Sequence, residues 1–363
     1  MSKRMLITGG AGFIGSHAAL YFRARGWEIS VLDNLSRRGS DVNLAYLREG
    51  MDCDFRLADV RSSRDVEDWV RRCGRVDAVL HLASQVAVTT SVEDPRTDFE
   101  VNAAGTVNVL EAVRAHAPEA KLLFASTNKV YGGLDQRRVE LKDGRYDFVD
   151  LPQGVSEHEP LDFHSPYGCS KGAADQYVRD YARIYGLHTV VVRQSCIYGT
   201  RQFGVEDQGW VAWFAIAARA GRPITIYGDG KQVRDLLWVD DLLALYERCL
   251  TTARPGSIYN AGGGADKRAS LLEVIDLLEQ RVGHAIEHQF VDWRPGDQPV
   301  FYSDNRKAQR ELGWEPRTDV RTGIAQLETW IESNAHLLWD PAPVATPALE
   351  PATSSAAPVL GMR

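Results

Sequence analysis

From Arg4 onward, short apolar runs alternate with amphipathic stretches long enough for helices. MLITG reads as a buried strand, residues 13–25 as a helix and EISVLD as a second strand. CDFRLADV, VDAVLHLA and KLLFAS follow as strands, with helical stretches over 66–73 and 103–114 among them. Another strand is expected over 189–192, after a helix over 177–185. Val, Ile, Leu and Phe runs of this length, spaced by helix-length segments, suit strands buried on both faces. The pattern predicts an α/β fold built on a doubly wound parallel sheet. Beyond about Tyr198 it loosens into GWVAWF and PITIYGDGKQVRDLLWVDD, then a helix over 270–280 and the charged segment DWRPGDQ. This predicts a smaller, mixed C-terminal lobe made of 198–236 and 261–339, with 1–197 and 237–260 forming the sheet domain. Residues 340–363 are rich in Pro, Ala and Ser, carry little regular apolar pattern and are expected to be disordered.

Composition sharpens this picture by exclusion. With 44% hydrophobic and 25% charged residues, the chain resembles an ordinary globular protein. Its formal charge of -7 gives no electrostatic reason to expect a nucleic-acid partner. Five cysteines form no C-x-x-C pair, so reduced thiols in a cytoplasmic protein are the simplest reading. No apolar run is long enough to span a bilayer, and no membrane association is expected.

Candidate chemistry begins with Gly9, Gly12 and Gly15, between the first strand and first helix. Glycines there allow a tight turn, backbone approach to a pyrophosphate and close helix–strand contact, with the diphosphate at the helix N-terminus. This makes the sheet Rossmann-type. Asp33 ends the second strand eighteen residues after Gly15, where a carboxylate accepts bonds from the adenosine ribose and repels a 2′-phosphate. NAD is therefore the expected cofactor, although Arg37 and Arg38 keep NADP as an alternative. Asp59 and Val60 follow the third strand and belong near the adenine.

Tyr167 and Lys171 stand four apart in SPYGCSKGAADQY, at a helix start, on one helix face. A tyrosine acting as a base at neutral pH must lower its pKa from ~10 by about 3 units, roughly 4 kcal/mol. A lysine ammonium one turn away and a cationic nicotinamide ring stabilise the phenolate. Ser126 and Thr127 end KLLFAS at the sheet edge where such folds place their chemistry. Thr127 is placed to hydrogen-bond the hydroxyl that Tyr167 deprotonates, while Ser126 reads as a strand-end cap. No cluster has metal-ligand spacing, and no metal is expected.

Taken in order, TGGAGFIG, Asp33, HLAS, ASTNKVYG and YGCSK resemble the extended short-chain dehydrogenase/reductases, the sugar-nucleotide epimerases and dehydratases, over about residues 5–331. The resemblance implies that Gly9, Gly12, Phe13, Ile14, Gly15, Asp33 and Asn34 hold NAD. It places Leu82, Ala83 and Asn102 on the nicotinamide side and makes Thr127, Tyr167 and Lys171 catalytic. The 4,6-dehydratases carry an acidic pair directly after the threonine. Here Asn128 and Lys129 stand there, which disfavours dehydration and leaves transient oxidation with return of the same hydride. Longer stretches, including HSPYGCSKGAADQY and EDQGWV, are similar to the CDP-tyvelose epimerases (CDP-paratose 2-epimerases). That similarity implies C2 epimerisation of a CDP-hexose through a 2-keto sugar. By family position Arg234, and Arg294 with Asp297, meet the diphosphate and ribose, while Gln85, Thr127, Asn128, Gln194, Ser195 and Gln208 meet the sugar. Several alternatives stay open. Arg234 is alternatively suited to a surface ion pair with Asp235 or Asp240, and the glutamines to ordinary polar loops. The reaction is alternatively that of a UDP-hexose 4-epimerase, or the chain a non-catalytic NAD-binding regulator. The resemblance also suggests a homo-oligomer, dimer or tetramer, with helices around 103–114 and 170–185 as contact surfaces.

Overall fold

The computed structural model describes residues 2–294 and 296–338; the disorder expected over 340–363 lies outside the described residues. Five strands, β1 (Lys3–Thr8), β2 (Trp27–Asp33), β3 (Asp54–Leu57), β4 (Ala78–His81) and β5 (Lys121–Thr127), join two later ones, Thr189–Gln194 and Ser257–Ala261. They form one sheet, ordered Ser257–Ala261, Thr189–Gln194, β5, β4, β1, β2, β3, with every pairing parallel. Both faces are covered because successive residues supply opposite faces. Met5 and Ile7 of β1 pack into one apolar cluster with Phe22 and Leu242, while Leu6 packs into another with Val66 and Leu110. Consecutive residues of β1 are thus apolar, and the alternation that marks a half-exposed strand is missing.

The helices follow the periodic pattern, with ends set by local chemistry. Helix α1 spans Phe13–Arg23 and stops two residues before the expected end. The segment expected over 103–114 is the Gly105–His116 helix, preceded by a wide π-type turn at Glu100–Ala104 that carries Asn102. The helix expected over 177–185 is the second half of a longer one, Ser165–Tyr185, with Pro166 in its first turn and Gly186 closing it at φ 71°. Ser270 caps the Leu271–Val282 helix: its hydroxyl accepts from the Glu273 amide while the Glu273 carboxylate accepts from the Ser270 amide.

A third apolar cluster gathers Phe214, Ile216, Leu236, Val274, Leu278, Ile324 and Leu327, from the helices Trp210–Arg219, Leu271–Val282 and Val320–Ser333 and the strand Val233–Trp238. That strand pairs with Cys196–Tyr198, Arg268–Ser270 and Val300–Phe301, stitching this cluster to the edge of the main sheet. No helix among the described residues is long and apolar enough to cross a membrane.

Candidate active site

Strand order reverses between β1 and β4, so the loops leaving their C-terminal ends diverge and open a cleft. The cleft holds about 710 Å³, within the range of cofactor and small-molecule sites. Its floor is the glycine loop. Gly9 has φ +68°, and a Cβ there would lie 2.7 Å from the Ala83 amide; one on Gly15 would lie 2.2 Å from the Gly9 carbonyl oxygen. Any larger residue would push the loop away from β4 or from α1. Gly12 caps α1 with no side chain, so the first-turn amides are left for a ligand. Bare backbone at a helix N-terminus fits a dinucleotide diphosphate.

At one end of the cleft, the Asp33 carboxylate accepts from the amides of Ala11 at 3.0 Å and Leu35 at 2.8 Å. Burial pushes its pKa up, and these amides oppose the rise. Asn34 donates to Asp59 at 2.8 Å, and Arg61 pairs with Asp59 at 2.9 Å. Asp33, Asn34, Asp59 and Val60 line this end, and Leu82 and Ala83 line the opposite wall.

The inner end carries Tyr167 and Lys171, both buried. Tyr167 stands in the first turn of Ser165–Tyr185, its amide donating to the Ser91 hydroxyl at 3.1 Å. Ser165, which begins that turn, holds φ +67°, a left-handed conformation that costs a non-glycine residue about 1–3 kcal/mol. Lys171 donates to the Ala125 carbonyl at 2.6 Å and lies 4.2 Å from the centre of the Phe124 ring. Burial drives Lys171 down to about 7, with Asp175 and Asp98 pulling it back up. Burial also lifts the Tyr167 phenol to about 12, and the Thr127 hydroxyl lowers it by hydrogen bonding. In the bare cleft, desolvation therefore disfavours both charges. A cationic group in the cleft reverses the balance for the phenol, because it favours the phenolate.

Behind this pair lies a carboxylate the sequence did not single out, among residues that it did. Asp98, with 1% of its surface exposed, accepts from Asn102 at 3.1 Å, and its charge acts on Lys171 and Tyr167. Asn102, expected on the nicotinamide side, does not line the cleft. Its amide oxygen accepts from the Ser84 hydroxyl at 2.8 Å and the Gln85 amide at 2.9 Å, and its nitrogen donates to Ser170 at 3.1 Å. It braces the wall from behind. Ser126 is more than a strand-end cap: it donates to Asp175 at 2.7 Å, and Asp175 holds Arg193 through two bonds of 2.9 Å. His81 of HLAS bridges Thr8 at 2.7 Å and Thr106 at 3.0 Å, and burial drops it to about 3, so it stays neutral.

The residues expected at the sugar and nucleotide divide. Gln85, Gln194 and Gln208 line the cleft. Thr127 donates to Asn128 at 3.3 Å and accepts from the Lys129 amide at 3.2 Å. Ser195 is turned away, its hydroxyl donating to the buried Asp235. Arg234 pairs with neither Asp235 nor Asp240; it binds Asp297 at 2.6 Å, and Lys129 approaches the same carboxylate at 3.4 Å. Burial pushes the Asp297 carboxyl up, but these two cations outweigh it and hold it below its usual range. Arg294 accepts from the Asp297 amide at 3.1 Å through its carbonyl, but its guanidinium pairs with Asp207 at 2.9 Å and stacks 3.8 Å from the Tyr227 ring centre. Trp210 and Trp213 pack against the third apolar cluster. Among the described residues no group of three or more His, Cys, Asp or Glu side chains is placed to hold a metal.

The sequence profile of the GDP-mannose 4,6 dehydratase family matches residues 6–327. A CDP-paratose 2-epimerase of Salmonella typhi is 43% identical over 337 residues, covering 91% of this chain and 99% of that protein. A putative UDP-glucose 4-epimerase of Methanocaldococcus jannaschii is 32% identical over 331 residues, with 91% and 99% coverage. Among solved structures, a Thermus thermophilus UDP-glucose 4-epimerase in complex with NAD superposes with a TM-score of 0.77 at 34% identity, covering 91% of this chain and 99% of that one.

Proposed function

The chain belongs to the GDP-mannose 4,6 dehydratase family of sugar-nucleotide epimerases and dehydratases, and from that membership we propose that it is an NAD-dependent C2 epimerase of a CDP-linked deoxyhexose. The observation that carries the reading is the inner end of the cleft. A buried Tyr167–Lys171 pair faces Thr127, and the two positions after Thr127 hold Asn128 and an ion-paired Lys129 rather than two carboxyls. Expelling water from a sugar needs an acid and a base on adjacent carbons. Asn128 and Lys129 cannot fill both roles at that point, while the site does offer a group that takes a proton from a hydroxyl and gives it back.

NAD supplies the hydride acceptor and donor when bound along the glycine loop. Tyr167 takes the proton of the C2 hydroxyl, and Thr127 hydrogen-bonds the same oxygen. Lys171, fixed by the Ala125 carbonyl, provides the positive charge that favours the phenolate. The planar 2-keto sugar turns within the pocket, with Gln85, Gln194 and Gln208 offering hydrogen bonds in either orientation. Tyr167 then returns the proton after the opposite face has been reduced. The Arg234–Asp297–Lys129 knot supports a role for the same segment in nucleotide binding, Arg234 being the cation of the three with the geometry for a paired phosphate bond. Assembly as a homo-oligomer through the Ser165–Tyr185 helix is supported by exposed Tyr177, Ile184 and Tyr185 along it.

The test is incubation of the enzyme with CDP-paratose, CDP-glucose and UDP-glucose in deuterated water. Inversion at C2 of a CDP sugar, with no deuterium at carbon, is expected. Inversion at C4 of the UDP sugar instead would replace the reading with a 4-epimerase. Stoichiometric bound NAD with no inversion of any sugar would point to a non-catalytic regulator.

A further inference from the structure

Arg37, Arg38, Arg61 and Arg201 line the cleft without a role in the chemistry above. The SRR segment after β2 places its two cations differently. Arg38 lines the cleft but donates to the Leu338 carbonyl at 2.7 Å. Arg37 lines the cleft, is partly buried, and has no side-chain hydrogen bond or ion pair among the described residues. Its charge acts on the Tyr167 phenol.

Packed beside it is Arg201, from the segment after the Cys196–Tyr198 strand. It too lines the cleft, in a left-handed backbone conformation with φ +55°. Its guanidinium stacks 4.7 Å from the centre of the Tyr46 ring, and its Nε is buried with no partner among the described residues. Its charge also acts on His17 of α1, the helix whose N-terminus ends the glycine loop. Asp240 and Tyr46 are the groups that offset its charge. The two arginine-bearing segments are packed together rather than loosely opposed. A Cβ on Gly39 would lie 2.1 Å from the Phe203 ring, and Asn43 donates to the Arg201 carbonyl at 3.4 Å.

We propose that Arg37 and Arg201, from two adjoining segments, form a clasp on the diphosphate of the dinucleotide, holding NAD between the amides of the glycine loop and two guanidinium groups. The proposal rests on the reading of the site as an NAD-dependent epimerase. An enzyme that borrows and returns the same hydride gains nothing from exchanging its cofactor, and charge-assisted bonds to a diphosphate slow release. Unpaired guanidinium N–H groups withdrawn from water are costly unless a ligand completes them.

The same chemistry suits the diphosphate of a nucleotide sugar, so the test separates the two sources. Wild type, Arg37→Gln, Arg201→Gln, the double variant and Arg37→Lys are purified by gel filtration, and NAD per protomer is measured after acid release. The dissociation rate of NAD is followed by exchange against labelled NAD, and affinity for CDP is read by calorimetry with NAD in excess. The clasp predicts at least tenfold faster NAD release in each Gln variant, a larger effect in the double variant, partial retention in Arg37→Lys and CDP affinity within twofold of wild type. Unchanged NAD release would overturn the clasp, and so would NAD held normally with CDP affinity down tenfold, since the arginines would then serve the substrate. Wild-type protein that binds no NAD at all would instead remove the epimerase reading itself.

Discussion

Replacing Lys171 with methionine should abolish turnover and yet stabilise the nucleotide-free protein, by an amount that depends on pH. Burial lowers Lys171 from 10.5 to about 7. The unfolded chain therefore keeps this proton up to pH 10.5, while the folded chain releases it near 7. Raising the pH through that window strips a proton that the unfolded state binds more tightly, so the wild type gains stability as pH rises. Relative to a side chain that never ionises, the lysine destabilises the fold by roughly 4 kcal/mol at pH 7 and roughly 2 kcal/mol at pH 9, at about 1.36 kcal/mol per unit. Methionine forfeits the bond to Ala125 and the contact with Phe124, together about 2 kcal/mol. The balance leaves the variant about 2 kcal/mol more stable at pH 7, about 3 °C in thermal midpoint for a chain of this size, and level with wild type near pH 9. Differential scanning calorimetry of nucleotide-stripped wild type and variant across pH 6.5 to 10 reads the difference directly. A gap that does not narrow as the pH rises would refute the claim that Lys171 is buried against its own charge. A cost of this kind is expected where a group is kept for chemistry rather than for packing.

Three further outcomes follow from the same geometry. Tyr167→Phe removes the proton acceptor and leaves the cleft shape, so turnover should fall about 10²–10⁴-fold while NAD per protomer, measured after acid release, stays at the wild-type level. Asp175→Asn removes the charge that holds Arg193 through two 2.9 Å bonds in a site with 2% and 0% of the two side chains exposed; a loss of about 3–5 kcal/mol in urea unfolding is expected. Ile184→Glu places a charge on a residue 67% exposed in the isolated chain, so light scattering should show a smaller assembly with the far-UV spectrum intact; an unchanged mass would clear this helix face of any role in association.

What the sequence revealed, and what it hid, follows from how far apart the interacting residues lie along the chain. The strands were legible because their evidence is local: an uninterrupted apolar run such as MLIT already says that both faces are covered. The glycine loop and the Tyr167–Lys171 pair were legible for the same reason, since three glycines and an i,i+4 spacing each define a shape within a few residues. The parts that were missed are built by closure across the fold. Lys129 and Asp297 are 168 positions apart, and Arg234 and Asp297 are 63 apart, so no spacing rule brings the three to one point. Asn102 was legible as a residue of the site and misjudged in its contacts. Only the folded backbone shows that the turn carrying it points behind the wall, where Ser84, Gln85 and Ser170 consume its amide. Arg37 and Arg38 make the same point most sharply. Adjacent and identical in type, they are indistinguishable in sequence and both line the cleft, yet one is tied to the carbonyl of Leu338 and the other has no side-chain partner among the described residues. A doublet of basic residues beside a ribose site is thus no evidence for a 2′-phosphate until the direction of each side chain is known. Here the two differ in that one guanidinium is bound by a backbone carbonyl and the other is not.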